Sequence, residues 1–361
     1  MGWKFLLNRI GYGILVLFGV ASLVFFLFTI LPGDPARMML GQRAEISSIE
    51  AINKELGRDK PIATQYLLFL NDASPISVFQ TTKANHAFYF DPLKYGKKIA
   101  LSPKIKGWQM LLKMPYLRNS YQSKQSVASI LSIAFPKTLL LAAVSMTFAL
   151  IVGMFLGIVS AIYNKGWFDK LLFAISTLGM SLPSFFAAML MAWLFAFVLK
   201  EYTGLNLYGS LYEVDDFGEG KHLALQNLIL PALTLGIRPL AIIIELTKNA
   251  LEETLVADYI RTAQAKGLSL WQIIWRHALK NALNPIITTI SGWFASLLAG
   301  AVFVEYVFDW KGMGLVIVNA IEKYDFPVLM GAVLFIAGLL VIVNILVDML
   351  YRIIDPRVKF E

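Results

Sequence analysis

Long apolar runs dominate the chain, separated by shorter polar stretches. Uninterrupted charge-free segments cover 10–33, 138–164, 171–199, 281–304 and 326–347. Each exceeds the roughly 20 residues that cross about 30 Å of hydrocarbon at 1.5 Å per residue. A sixth segment, 223–244, is apolar apart from Gln226, Asn227 and Arg238, and contains Pro231 and Pro239. Loops of opposite charge character flank it, so it counts as a span. The pattern predicts an all-α polytopic membrane protein with six transmembrane helices. The first apolar run follows Lys4 and Arg9 but is too long for a signal-peptide core. LPGDP follows it rather than a small-residue cleavage site, so a retained first helix is expected.

Composition agrees with this reading. Hydrophobic residues make up 57% and charged residues 16%, against roughly 25% charged in soluble domains. A soluble globular enzyme is excluded, because a fold of this size could not hide so much apolar surface. The chain has no cysteine, which removes disulfides, thiol nucleophiles and thiolate metal sites. His86, His222 and His277 stand far apart without metal-ligand spacing. The formal net charge of +8 matters less than its placement. Segments 1–9, 165–170, 248–280 and 351–361 carry net charges of +2, +1, +2 and +1, whereas 200–222 and 305–325 carry −3 and −2. Both termini are therefore expected in the cytoplasm, as six spans also require. The implied divisions are 1–31 (tail and first helix), 32–130 (a large periplasmic insertion between helices one and two) and 131–361 (the core). The insertion holds 14 basic and 7 acidic residues, but the charge rule fades over long loops. Residues 49–56 and 61–70 read as short amphipathic helices; Lys94, Lys97, Lys98, Lys104 and Lys106 form a basic cluster that suits a solvated face first, with a docking surface for an acidic partner or contact with outer-leaflet headgroups as the alternatives.

The segment 248–284 is far longer than the other inner loops. Two short helices fit it: one over about 250–266, stopped by Gly267 with Lys266 in its last turn, and one opened by Ser269 with Gln272 as capping-box partner. Ile273, Ile274 and Ala278 fall on the bundle side of the second, Arg276 and Lys280 on the other. In the first, Ala257, Ile260, Ala263, Ala265 and Gly267 are small or modest, among the charges of Arg261 and Lys266. Such an element suits either docking of a cytosolic protein or simple interfacial anchoring.

DYIRTAQAKGLSLWQIIWRHALKNALNP, residues 258–285, resembles the characteristic cytoplasmic loop of inner-membrane permeases of binding-protein-dependent ABC transporters, in the dipeptide, oligopeptide and nickel branch. Further motifs follow in the family's order: LPGDPA (31–36), ELGRDKP (55–61), LGMSLPSFF (178–186), VEYVFDWKGMG (304–314), DFPVLMGAVLF (325–335) and VNILVDMLYRIIDPRVK (343–359). The chain departs from the pattern in its longer, more basic 66–130 region, in Glu245 and Lys248 where arginines are usual, and in Lys311 where proline is common. The resemblance implies that Ala257–Leu268 forms an ATPase-coupling helix, with Tyr259, Arg261, Thr262, Ala263, Ala265, Lys266 and Gly267 at the contact. Ala263 and Gly267 would take its small-residue positions.

Within the apolar segments, Arg238 is the outstanding charge. An arginine near mid-membrane costs at least ~2.5 kcal/mol and should face the bundle interior or a wet cavity. If it lines a path, it favours carboxylate-bearing groups; the other readings are a structural partner to an acidic group or helix-end carbonyls, and snorkelling of a span whose register is shifted. Glu245, seven residues on, shares its helical face and could pair with it here or across to an opposing subunit. Pro183, after Gly179 and Ser181, permits a bend beside a path or an ordinary packing kink. Pro183, Ser184, Arg238 and Glu245 are the candidate pathway or gate residues. Gly153 and Gly157 form a G-x-x-x-G packing signal. No Walker A pattern and no acid–base constellation occur, so no catalytic or metal site is expected.

Taken with the resemblance, the chain reads as a multi-pass permease subunit of the bacterial inner (cytoplasmic) membrane, not an enzyme. It would form half of a pathway for di- or oligopeptides, with nickel or another small solute as the lesser option. The implied partners are a second identical or homologous permease, two cytosolic ATPase subunits carrying ATP and Mg, a periplasmic substrate-binding protein and membrane lipid, without nucleic acid. No cofactor would bind this chain. A membrane scaffold and an ion-coupled carrier are the readings from other classes.

Overall fold

A computed structural model describes residues 3–30, 53, 59–163, 166–214 and 220–354. The LPGDPA motif, nearly all of the 49–56 helix and most of ELGRDKP lie outside the described residues. The chain divides into two compact units, Met1–Ile133 with Val316–Leu339, and Ala134–Leu315 with Leu340–Glu361.

The first unit begins with helix α1 (Trp3–Ile30). Its Ala21 and Phe25 pack on Phe69 of α2 (Ile62–Ala73), and the Ser22 hydroxyl lies 2.6 Å from the Tyr66 hydroxyl. The insertion then forms a sheet that helix-seeking periodicity does not announce. Strands β1 (Ile76–Gln80), β2 (Lys98–Ala100) and β3 (Trp108–Lys113) are antiparallel in the order β1-β3-β2. Phe79, Phe90, Tyr95 and Leu111 close a small core over it. Asp72 is 2% exposed and anchors this region. It accepts a hydrogen bond from the Tyr95 hydroxyl at 2.7 Å and faces Lys94 and Arg118 at 3.4 Å each. The Lys113 ammonium donates to the carbonyls of Asp72 (2.7 Å) and Ser74 (3.0 Å). Burial lowers the Lys113 pKa to about 8, against the attraction of Asp72, and burial with the nearby Asp72 charge raises that of Tyr95. The five lysines expected on a solvated face are exposed.

In the second unit the chain runs through α3 (Val127–Ile162, which enters from the first), α4 (Trp167–Ser181) and α5 (Ser184–Met191), the last continuing as a π-helix over Ala192–Val198. A small hairpin, β4 (Tyr212–Val214) and β5 (Lys221–Leu223), precedes α6 (Gln226–Leu255). The central helix α6 buries residues around most of its circumference. The Gly153/Gly157 signal is used where expected: a Cβ on Gly157 would stand 2.6 Å from Thr247 Cβ and 2.8 Å from the Ile244 carbonyl oxygen. After α6 come α7 (Asp258–Ala265), α8 (Leu270–Ile273), a π-turn over Ile274–Ala278, α9 (Leu279–Gly300) and α10 (Val302–Val307). Helices α11 (Met313–Glu322) and α12 (Phe326–Ile354) end the described chain.

The six-helix expectation is corrected by these elements. Among the described residues four helices are long and apolar enough to cross a membrane: Leu7–Thr29, Val127–Ile162, Gln226–Leu255 and Phe326–Met349. A fifth appears only if Trp167–Ser181 and Ser184–Val198 are counted together, and they meet at 115°. The run 171–199 is charge-free, but Pro183 lacks an N–H and forces the preceding residue out of the helical region. Leu182 accordingly sits at φ −71°, ψ 131° and ends α4. The expected span 281–304 fails differently. It has no charge, yet Asn281, Asn284, Thr288, Thr289 and Ser291 make its first half polar, leaving only Gly292–Val307 as a shorter apolar helix. Four spans would still put both termini on one side and five would not, so the count no longer fixes the parity.

Candidate functional site

The loop after α6 is built differently from one continuous helix over 250–266. Helix α6 stops at Leu255, and Ala257 is extended (φ −69°, ψ 149°) before α7 begins. Gly267 exits α7 at φ +80°, a conformation that L-residues with side chains adopt at a cost. Ser269 and Gln272 form the expected capping box. Helix α7 has two unlike sides. Ile260 (0% exposed) and Ala263 (5%) join a core with Ile158, Leu251, Ile273 and Ile274. Tyr259, Arg261, Thr262, Ala265, Lys266 and Gly267 are exposed, and Ala257 and Leu268 are half-buried. Ala263, grouped by sequence with the contact residues, thus packs against the chain's own helices. The Asn281 amide donates to the Tyr259 hydroxyl at 2.7 Å, tying α7 to α9. Ile273, Ile274 and Ala278 are buried and Arg276 and Lys280 exposed, as the pattern predicted.

The break between α4 and α5 borders a cavity of about 80 Å³. Gly179, Ser184, Thr234, Arg238, Trp293 and Ser296 line it, so two of the four candidate pathway residues meet there. Pro183 is exposed beside the break as the N-cap of α5. Glu245 is exposed and makes no ion pair with Arg238 within this chain. The Arg238 Nε is enclosed and finds no hydrogen-bond partner among the described residues.

Two polar anchors were invisible in the sequence. Lys248 lies 2.6 Å from Asp169, which also accepts a hydrogen bond from Ser160 at 2.6 Å. The partners are 79 positions apart, and no local spacing announces them. Glu305, 0% exposed, accepts hydrogen bonds from the Thr138 hydroxyl and the Gly314 N–H, both at 2.6 Å. The Met313 N–H donates in turn to Thr138 at 2.8 Å. A Cβ on Gly312 would run into the Glu305 carboxylate, so the GMG sequence is the wrapping of a buried acid.

Residues 153–360 match the family described as binding-protein-dependent transport system inner membrane component, and residues 2–87 match its N-terminal membrane component. The chain belongs to this family. The permease is 34% identical over 372 residues to the probable D,D-dipeptide transport system permease protein DdpB of Escherichia coli, covering 99% of this chain and 97% of that one. It is 32% identical over 361 residues to the dipeptide transport system permease protein DppB of Alkalihalophilus pseudofirmus, covering 96% of each. A solved chain of the inward-facing MetNI methionine ABC transporter superposes with a TM-score of 0.51 at 17% identity, covering 63% of the permease and 97% of that chain. That likeness concerns the fold alone. The permease is a multi-pass inner-membrane subunit of an ABC importer that couples to cytosolic ATPase subunits.

Proposed function

We propose that the permease forms half of a translocation pathway for di- and oligopeptides. It would pair with a second identical or homologous permease, two cytosolic ATPases that hold ATP and Mg, and a periplasmic substrate-binding protein. The peptide class is supported by the relatives named as dipeptide permeases, alike over nearly the whole chain. The coupling role rests chiefly on the two-sided helix α7. Its inner side is locked into the core, and its outer side presents Tyr259, Arg261, Thr262, Ala265 and Lys266 exposed among the described residues. The Arg261–Asp258 ion pair is almost fully solvated, at 73% and 97% side-chain exposure, and contributes little to holding the helix. Both groups are therefore free to change partners. ATP-driven closure of the ATPases would draw α7 and its counterpart together and shift the bundle between two states separated by a few kcal/mol. Pro183, Ser184, Arg238 and Glu245 are assigned to the pathway or its gate.

Because the chain has no cysteine, Arg261→Cys gives a single reactive position on an otherwise silent background. In proteoliposomes holding the whole complex, ATP should drive uptake of a dipeptide delivered by the binding protein. Arg261→Cys should crosslink to a cysteine on the ATPase surface in a nucleotide-dependent way. Uptake without a crosslink at any position on the outer side of α7 would overturn the docking assignment. Failure of ATP-dependent uptake would overturn the peptide reading.

A further inference from the structure

We infer that the cavity under the α4–α5 break is a carboxylate-binding site, built around Arg238 and made to seat the C-terminal carboxylate of the transported peptide. This rests on the peptide-pathway reading and assigns the pathway a specific contact. The first support is an unspent charge. Arg238 is half-buried with its Nε enclosed, and it has neither a hydrogen bond nor an ion pair among the described residues. The Nε is cut off from water without a partner, the remainder of the guanidinium borders the cavity with no acceptor of its own among the described residues, and an acceptor-only anion entering there would supply one. The second support is the rest of the lining. Ser184 and Ser296 hydroxyls border the same space and make no side-chain hydrogen bond of their own among the described residues. Thr234 already donates to the Leu230 carbonyl at 2.8 Å. The free donors around the cavity therefore outnumber those already committed, which suits a ligand that only accepts.

Size narrows the ligand. About 80 Å³ exceeds the space that one water needs, and suits a carboxylate with its adjoining atoms rather than a whole oligopeptide. The rest of the peptide would lie outside the cavity. Ser184 opens α5, the first bonded amide of which is Ala187 to the Pro183 carbonyl at 3.0 Å. The preceding N–H groups at this helix start add a mild preference of the same sign. Helix α5 does not make the site; the arginine does.

Two measurements test the site separately from the transport reading. In the first, acetate is titrated into the purified permease against a chloride control, and Trp293 emission is taken as the difference from Trp293→Phe. A saturable change is expected in the wild type and should be absent in Arg238→Gln. An identical response in both, or none in the wild type, overturns the site. In the second, the reconstituted complex takes up a dipeptide with a free C-terminus or its C-terminal amide, using one binding protein throughout so that its own preference cancels. Arg238→Gln should lower the acid-to-amide uptake ratio about tenfold or more, the loss expected for one charge-assisted hydrogen bond. Arg238→Lys should keep part of it, and Ser296→Ala should lower it about threefold. Equal ratios in wild type and Arg238→Gln overturn the inference. If Arg238→Gln does not assemble, an unchanged ratio in Ser296→Ala does so. A wild-type complex that binds acetate but takes up neither peptide would reject peptide import and leave the anion site standing.

Discussion

Replacing Asp72 with alanine removes the acceptor on which the insertion is organised. The two ion pairs are long, at 3.4 Å, and their cationic side chains are 37% (Lys94) and 35% (Arg118) exposed. Solvent screening leaves each worth about 0–1 kcal/mol. The Tyr95 hydroxyl, bonded at 2.7 Å inside the small core, would be left unsatisfied at a cost of about 1–3 kcal/mol. Lys113, which is 4% exposed, would lose the attraction that offsets part of its burial. The sum is about 3 kcal/mol, which corresponds to roughly 100-fold faster amide exchange for strands β1 and β3. Asp72→Asn keeps an oxygen for Tyr95 and should cost only about 1 kcal/mol, near fivefold. Hydrogen exchange on the intact complex reads both. Exchange in Asp72→Ala within threefold of wild type, or equal damage from the two substitutions, would refute this account of the network.

Three further outcomes follow from the same geometry. Gly157→Leu should separate α3 from α6, because its Cβ meets the Ile244 carbonyl at 2.8 Å; a severalfold loss of monodisperse permease on size-exclusion chromatography is expected, and an unchanged yield contradicts it. Gly267→Val meets nothing within 4 Å but must hold φ near +80°, so it should cost about 1–2 kcal/mol and weaken ATPase stimulation by loaded binding protein without loss of membrane insertion. Lys113 has a folded pKa near 8, below its unfolded value, so the unfolded chain binds more protons between these values. Stability of the insertion should therefore rise with pH from about 8 towards 10, and a protease-resistance series from pH 7.5 to 9.5 should lose that slope in Lys113→Met.

What the sequence revealed depended on whether the determinant was local. The apolar runs that open at 10, 138 and 326 underlie the long helices Leu7–Thr29, Val127–Ile162 and Phe326–Met349, because an unbroken apolar stretch of that length has few other solutions. Ser269 and Gln272 declared their capping box because both halves lie within one turn. The run 171–199 misled because absence of charge says nothing about backbone, and a single proline ended the helix. The sheet of the insertion escaped notice because its strands are only three to six residues long. Lys113 and Glu305 are ionisable residues at positions that the fold buries, and Asp72 and Thr138, which they meet there, lie far off in sequence. The Arg238 cavity was half legible: an arginine in an apolar run signals a wet or internal environment. Ser184 stood with it among the candidates read from the sequence, whereas Ser296, from another helix, could be found only in three dimensions.

The inward side of α7 has a mechanical consequence. Ile260 and Ala263 are wedged among Ile158 and Ala161 of α3, Leu251 of α6 and Ala282 of α9. Close-packed interiors are stiff and pass strain on rather than absorb it. A load arriving at Arg261 therefore reaches three long helices together, and the Tyr259–Asn281 bond resists rolling of the short helix in its seat. With the ATPase docked on α7 as proposed, the loop would act as a crank keyed to three shafts, and a small displacement at its tip would move all three at once.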